Sequence, residues 1–283
     1  MFSPGQSLRL GAQAAAHLPY VPALHPLYSL GVRLPAGEVI MIAGRSGTMK
    51  SLFCLWLAYW LRLPVVYFSA DMTASTVAHR LAAAATGEPM STIRESLHAG
   101  SADQARYSDA LASVPISFVY DSPVTWEGVD ETLDAYVELW DTYPAVIVVD
   151  NLMDVTGAAA DYTGQMEAMS ALTELSRATG ATVIVLHHAT DKTLSKTDPW
   201  KPPARSDIKG GLSEKPALSL AVSHNPNNEA FLIAPIKNRH GFADPTGETY
   251  AALHIDPERC QFSAVKPLPG STSTFTRSRT HER

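Results

Sequence analysis

The chain has 283 residues, of which 46% are hydrophobic, and a formal net charge of -6. This length allows one large α/β domain with a substantial core, and the acidic balance excludes a protein that coats nucleic acid through an overall positive charge. We expect a cytoplasmic protein without membrane association, because the sequence has no apolar run of about 18 residues, no signal-peptide pattern at its start, and only two cysteines, which form no C-x-x-C pair.

Short apolar runs alternate with longer helical patterns from residue 39 to residue 186. We predict strands at residues 39–43, 65–69, 116–120, 145–150 and 182–186, and helices at residues 52–61, 73–85, 127–141 and 165–179. The strand segments are nearly continuous Val/Ile runs, which is typical of parallel strands buried on both faces. Their alternation with helices predicts βαβ crossovers around a parallel sheet.

The pattern changes after residue 186, where the apolar segments ALSLAV, AFLIAPI and YAALHI follow one another with only loops between them. This favours antiparallel hairpins. The sequence therefore predicts an α/β fold with a mostly parallel central sheet, flanking helices and antiparallel hairpins at its C-terminal end. We expect an N-terminal arm at residues 1–30, a main domain at residues 31–265, and a flexible tail rich in Ser, Thr and Arg at residues 266–283.

The segment GRSGTMKS directly follows the first predicted strand and directly precedes a helix. This is the context of a phosphate-binding loop, in which backbone N–H groups and the helix dipole bind a polyphosphate. We predict that Lys50 reaches the β- and γ-phosphates of ATP and that Ser51 binds Mg²⁺. The predicted cofactor-binding residues are Gly44, Arg45, Ser46, Gly47, Thr48, Met49, Lys50 and Ser51.

Met49 departs from the usual pattern, which has a glycine directly before the lysine. A side chain at this position is tolerable if it points away from the phosphates. The alternative is a Gly/Ser turn that opens a helix and binds nothing. A nucleophile elbow, G-x-S-x-G, is excluded because Thr48 stands two residues after Ser46.

Asp150 ends the predicted strand VIVVD, about 100 residues after the loop. An acid at this position can hold Mg²⁺ through water, as the second acidic element of phosphate-loop enzymes does. We therefore predict Ser51 and Asp150 as the magnesium residues.

The order of the motifs resembles the RecA-type ATPase domain of hexameric replicative helicases, of the DnaB-like and RepA-like kinds. The resemblance covers roughly residues 30–256 and implies a RecA-like phosphate-loop NTPase core. Five segments carry it: LPAGEVIMIAGRSGTMKS, VVYFSADM, VIVVDNL, VIVLHHATDK and IAPIKNRHGFADPTGE.

The resemblance implies roles for four further residues. Asp71 would position the attacking water, although the family has a glutamate there, and His188 would sense the γ-phosphate. Lys237 and Arg239 would cross a subunit interface and contact the ATP of the neighbouring subunit. The alternatives are that Asp71 caps the helix near Thr73, that His188 is an ordinary strand-end histidine, and that the Lys-x-Arg pair belongs to a charged edge strand.

The resemblance also implies that the loop at residues 189–215 lines a central pore and grips single-stranded DNA. Basic side chains interleaved with an aromatic one suit a flexible single strand. The candidates are Lys192, Lys196, Trp200, Lys201, Arg205 and Lys209. The alternative is a solvated polar loop, since aspartates dilute its charge.

The leading hypothesis is an ATP-driven, Mg²⁺-dependent DNA helicase that forms a homo-oligomeric ring, most simply a hexamer, in phage or plasmid replication. A primase or a helicase loader would be a further partner. A second hypothesis is a RecA-like or KaiC-like ATPase with a recombination or regulatory output. A third is a nucleotide-binding adaptor in which Met49 and Asp71 have reduced turnover.

Overall fold

The structure is a computed structural model that describes residues 16–99, 101–159, 161–190 and 199–264. These residues form one nine-stranded sheet. Its strands are β1 (Val39–Gly44), β2 (Val65–Ser69), β3 (Ile116–Val119), β4 (Val146–Asp150), β5 (Thr182–His188), β6 (Leu218–Asn225), β7 (Ala230–Asn238), β8 (Ala251–Asp256) and β9 (Gln261–Ala264).

The strand order is β3-β2-β4-β5-β1-β6-β7-β8-β9. The pairs from β3 through to β6 are parallel, whereas β6, β7, β8 and β9 pair antiparallel. The predicted fold class, a mostly parallel sheet that ends in antiparallel hairpins, is confirmed. Strand β1 lies between β5 and β6, so the segment that follows it leaves from the interior of the sheet.

Helices connect the parallel strands and cover both faces of the sheet. They are α1 (His25–Ser29), α2 (Lys50–Leu61), α3 (Ala74–Thr86), α4 (Met90–Ala99), α5 (Ser101–Leu111), α6 (Trp126–Trp140) and α7 (Tyr162–Thr179). Helices α4 and α5 and strand β9 were not predicted. The two helices carry few apolar residues, and Ile93 and Tyr107 are their buried contacts with the core.

The core consists of two layers that the sheet separates. In β1, Ile40 and Ile42 face the layer formed with α2, α3 and the antiparallel hairpins. Val39, Met41 and Ala43 face the layer formed with α6 and α7. This alternation follows from the pleat of the strand, and burial on both faces fixes the register of β1.

The described part of the predicted N-terminal arm packs against the rest of the chain. Leu24 and Leu27 are fully buried in the same core layer as α2, and the Leu18 N–H donates to the Leu34 carbonyl at 2.9 Å. The domain boundary at residue 30 stays a prediction. Residues 266–283, the predicted tail, lie outside the described residues.

The longest of these helices is α7, with 18 residues. It is amphipathic: Ala168 and Leu172 are buried against the sheet, whereas Glu167 and Arg177 are exposed. Among the helices in the described part of the chain, none combines the length and the hydropathy that a bilayer crossing requires.

Candidate nucleotide-binding site

A cleft of about 330 Å³ opens at the carboxyl ends of the parallel strands. It brings together residues 46–51, Asp71, Asp150 and His188, which come from four separate segments of the chain. The segments meet because the carboxyl ends of parallel strands share one edge of the sheet, where ligands of open α/β sheets commonly bind.

The loop after β1 turns sharply and leads directly into α2. Gly47 has φ +73° and Met49 has φ 62°, both in the left-handed region. Gly44 is needed for a close approach, because a Cβ there would lie 2.7 Å from both Thr48 Oγ1 and the Val222 carbonyl oxygen. The loop thus has the tight turn that exposes its N–H groups at a helix start.

Met49 occupies the position just before the first residue of α2. A left-handed conformation costs a non-glycine residue about 1–2 kcal/mol, which explains why the usual pattern has glycine here. The Met49 side chain packs against the hydrophobic layer around α2, and this contact offsets part of that cost. The departure from the pattern therefore leaves the path of the loop intact.

Lys50 is 7% exposed. Its Nζ donates to the carbonyl oxygens of Gly44 at 3.0 Å and Arg45 at 2.8 Å. The ammonium group therefore lies inside the loop, where a bound polyphosphate would replace these carbonyls with stronger, charged acceptors.

Ser51 and Asp150 are in direct contact. Ser51 Oγ donates to Asp150 Oδ1 at 3.0 Å, and Tyr67 Oη donates to Asp150 Oδ2 at 3.0 Å. Burial raises the pKa of Asp150 to about 6, against the lowering effect of these two hydrogen bonds. A serine hydroxyl and a carboxylate are oxygen ligands of the kind that Mg²⁺ prefers, so this pair fits the predicted metal.

Asp71 is exposed at the cleft, and its negative charge contributes to the raised pKa of Asp150. The alternative in which Asp71 caps the following helix is wrong. Thr73 is the N-cap of α3, and its side chain accepts the hydrogen bond from the Thr76 N–H.

His188 ends β5, and its Cα pairs in register with that of Gly44 at the start of the phosphate loop. Its side chain is exposed and lines the cleft. The position of His188 beside the loop is thus a consequence of the pairing between β1 and β5.

Two cleft residues, Arg80 and Asn151, were missed by the sequence reasoning. Asn151 is 5% exposed, and its Oδ1 accepts from the Met153 N–H at 2.8 Å, which shapes the loop after β4. Its place directly after Asp150 was a usable signal. Arg80 lies on α3 with its Nη1 2.8 Å from the Met72 sulfur, and no sequence spacing indicates that it faces the cleft.

Lys237 and Arg239 are not part of this cleft. Arg239 N–H donates to the Ala217 carbonyl and Ala217 N–H donates to the Val39 carbonyl, both at 2.8 Å. These bonds place Lys237 and Arg239 beside the first residue of β1, whereas the phosphate loop follows the last residue of β1. One subunit therefore holds them at opposite edges of its sheet.

Both side chains at the far edge are engaged within the chain. Lys237 Nζ donates to the Pro216 carbonyl, and burial together with the charges of Arg239 and Arg205 lowers the pKa of Lys237 to about 8. Arg239 Nη1 contacts Glu38 Oε2 at 3.1 Å, and about half of the Arg239 side chain is exposed.

The described part of the predicted DNA-binding loop is residues 199–214, which we call the basic segment. Lys201 Nζ lies 3.1 Å from Glu248 Oε1, and Arg205 Nη2 lies 3.1 Å from Glu214 Oε1. Trp200 belongs to the same segment, and the backbone of Lys209 opens a 3-10 helix. Lys192 and Lys196 lie outside the described residues.

The basic segment borders an open cavity of about 750 Å³, whose opposite wall is formed by Pro245 and Thr246. Lys201 and Arg205 both line it. Exposed ion pairs such as theirs contribute about 0–1 kcal/mol, so a nucleic-acid phosphate can replace their acidic partners at small cost.

The family described as AAA domain matches residues 22–193 of this chain. The chain is also similar to "Gene 65 protein" of Mycobacterium phage L5, with 30% identity over 270 residues, 93% of this chain and 98% of that protein. "Gene 65 protein" of Mycobacterium phage D29 is 30% identical over 232 residues, 80% of this chain and 98% of that protein.

Three solved structures show a related fold. The first, an isolated ATPase domain, has a TM-score of 0.73 at 16% identity, and the match covers 92% of this chain and 96% of that one. "The Structure Of A DnaB-Like Replicative Helicase And Its Interactions With Primase" has a TM-score of 0.73 at 16% identity over 92% and 67%. A KaiC-like protein, PH0186 from Pyrococcus horikoshii OT3, reaches 0.53 at 15% identity over 82% and 91%. The resemblance to the RecA-type ATPase fold of replicative helicases is confirmed.

The Asp150→Asn variant is expected to unfold at higher denaturant concentration than the parent at pH 7.5 without nucleotide or metal. The folded-state pKa of about 6 exceeds the usual value, so the folded protein binds more protons and its stability falls as pH rises from about 4 to 6. Removing the buried charge should raise the free energy of unfolding by about 1–2 kcal/mol at pH 7.5 and by little near pH 4.

Urea unfolding at the two pH values measures this difference. Asp244→Asn is the matched control, because hydrogen bonds from Thr246 and Thr249 lower the pKa of Asp244 to about 2. Its loss should therefore destabilise the protein above about pH 4. An Asp150→Asn variant that is no more stable than the parent at pH 7.5 would contradict the assignment.

Met49→Gly is expected to keep ATP binding and to change the free energy of unfolding by less than about 1 kcal/mol, because relief of the left-handed backbone offsets the lost packing. Met49→Val should lose about 1 kcal/mol or more, since a β-branched residue fits this conformation poorly. Titration calorimetry and urea unfolding report both effects. Loss of ATP binding in Met49→Gly would show that the methionine itself is required.

Proposed function

We propose that this chain, which belongs to the AAA-domain family, is an ATP-hydrolysing motor that moves along single-stranded DNA as a ring of identical subunits, most simply a hexamer. The family match and the phosphate-loop fold support an ATPase of the replicative-helicase type. DNA unwinding in phage or plasmid replication is the finer part of the proposal, as is a primase or loader as partner.

The observation that carries the proposal is the separation of the cleft from Lys237 and Arg239. Strand β1 spans six residues, or about 20 Å, between the Arg239 edge and the phosphate loop. Arg239 therefore cannot reach the nucleotide of its own subunit. A charged Lys-x-Arg pair at the opposite edge is suited to contact the nucleotide of an adjacent copy, where arginine stabilises the charge of phosphoryl transfer.

Within one cleft, the residues divide the chemistry among them. The phosphate-loop N–H groups and Lys50 would bind and orient the β- and γ-phosphates. Ser51 and Asp150 would hold Mg²⁺, which supplies charge neutralisation at the phosphates. Asp71, exposed at the same cleft, would orient the attacking water through its carboxylate.

His188 and the basic segment connect this chemistry to the proposed DNA path. His188 is at the cleft, and the chain continues from it towards the basic segment through Thr190, whose N–H donates to the Asp207 carbonyl at 3.0 Å. Lys201 and Arg205 border an open cavity, which provides cations for a phosphate backbone. Trp200 supplies an aromatic ring for base stacking.

The first test is ATP hydrolysis with and without single-stranded DNA in the parent and in Lys50→Ala. A DNA-dependent motor should show stimulation by DNA, falling to background in Lys50→Ala because the β/γ-phosphate contact is lost. Nucleotide binding without turnover in either condition would contradict the motor and favour the adaptor hypothesis. DNA-stimulated turnover with filaments and strand pairing instead of unwinding would favour a recombinase.

The second test asks whether Arg239 acts on a neighbouring subunit. Arg239→Ala should lower turnover about 10³-fold while each chain still binds ATP. Arg259→Ala is the matched control, since Arg259 is similarly exposed in an ion pair with Asp256 at 2.9 Å, and it should keep activity.

A mixture of inactive Lys50→Ala and inactive Arg239→Ala should regain activity. In mixed rings, some interfaces join an intact phosphate loop to an intact Arg239 from the other variant. A mixture that stays as inactive as its components, although the two variants co-assemble, would contradict action across the interface.

A further inference from the structure

The side chain of Arg45 leaves the phosphate loop and enters the basic segment. Arg45 Nη1 donates to the Lys201 carbonyl at 3.1 Å, and Arg45 Nη2 lies 3.8 Å from Asp207 Oδ2. The two side chains are 11% and 7% exposed. A buried pair of this kind is costly to break from one side, because the remaining partner is left as an uncompensated buried charge.

Asp207 holds the basic segment in shape as well as pairing with Arg45. Its Oδ2 accepts from the Ala204 N–H at 2.9 Å, and its carbonyl oxygen accepts from the Thr190 N–H at 3.0 Å, just after β5. A movement of Arg45 relative to Asp207 is therefore felt by the turn at Ala204 and by the chain that leaves β5.

The main chain of Arg45 is tied to the group that we expect to bind phosphate. Its carbonyl oxygen accepts from Lys50 Nζ and from Thr48 Oγ1, both at 2.8 Å. A polyphosphate in the cleft would draw the Lys50 ammonium towards itself and away from this carbonyl. The backbone of Arg45 thus responds to the nucleotide while its side chain remains in the basic segment.

The guanidinium group has one bonding position still to fill. Arg45 Nε is buried and has no hydrogen-bond partner among the residues that the structure describes. A buried donor without an acceptor is unfavourable, so a shift of the loop that supplies an acceptor would be favoured.

We propose that Arg45 and Asp207 form a link that transmits nucleotide binding from the phosphate loop to the basic segment. Arg45 is then a positioning residue for that segment in addition to being part of the loop. This rests on the proposed nucleotide site, but it does not require DNA to be the partner of the basic segment.

Amide hydrogen exchange of the full chain tests the link. Peptides covering residues 199–214 are followed with and without Mg²⁺ and a slowly hydrolysed ATP analogue. Bound nucleotide should fix the phosphate loop and, through Arg45, slow exchange in this segment by about tenfold. Unchanged exchange in the parent at saturating analogue would overturn the proposal.

Asp207→Asn removes the charge of the pair and keeps a side-chain oxygen for the Ala204 N–H. The analogue should still bind within about threefold of the parent affinity, while the slowing at residues 199–214 falls to less than about twofold. Arg45→Lys keeps the charge without the two-pronged geometry and should give an intermediate effect. Parent-like slowing in both variants would overturn the link.

Glu88→Gln is the matched acid-to-amide control, because Glu88 pairs with Arg106 at 2.8 Å on the surface, away from the cleft. It should show the full slowing of the parent. Peptides from β1 and α2 report whether a variant has lost its general stability. Loss of slowing in Glu88→Gln as well would overturn a specific role for Asp207.

DNA-stimulated hydrolysis is measured on the same samples and separates the two proposals. Nucleotide-dependent slowing without any DNA stimulation would contradict the DNA motor and support the link. DNA stimulation without a change in exchange at residues 199–214 would do the opposite.

Discussion

The position of β1 in the interior of the sheet is the constraint on which the rest of the structure depends. Parallel pairing with β5 on one side and β6 on the other fixes its direction and register. Its two faces are buried in two separate hydrophobic layers. The residues that follow it are therefore delivered to one edge of the sheet, where His188 and Asp150 also end their strands.

Met49 shows how a departure from a binding pattern can preserve the structure that the pattern encodes. The backbone at this position adopts the left-handed conformation that a glycine would adopt freely. Packing of the side chain against the core compensates for part of the strain. The neighbouring contacts of Lys50 and Ser51 depend on the path of the main chain, and that path is unchanged in kind.

The strands, the fold class and the grouping of the cleft residues were accessible from the sequence, because Val/Ile runs mark buried parallel strands and strand ends meet at one edge. Helices α4 and α5 were not, because few of their residues are buried and periodicity reports burial. The interpretation of Asp71 as a helix cap was a plausible local pattern, and Thr73 takes that place. Contacts such as Arg45 with Asp207 join residues far apart in the chain, so local spacing carries no signal for them. Arg80 faces the cleft for the same long-range reason.

The separation of the cleft from Arg239 has a geometric consequence for assembly. If one edge of the sheet meets the opposite edge of the next copy, every contact is head-to-tail and joins two different surface patches. Such a contact closes into a ring when its rotation divides a full circle evenly, and otherwise it continues as an open helix. The subunit number is then decided by the tilt between neighbours, which the residues around Glu38 and the phosphate loop control jointly. A single substitution at either edge could convert a closed assembly into a filament without touching the chemistry of hydrolysis.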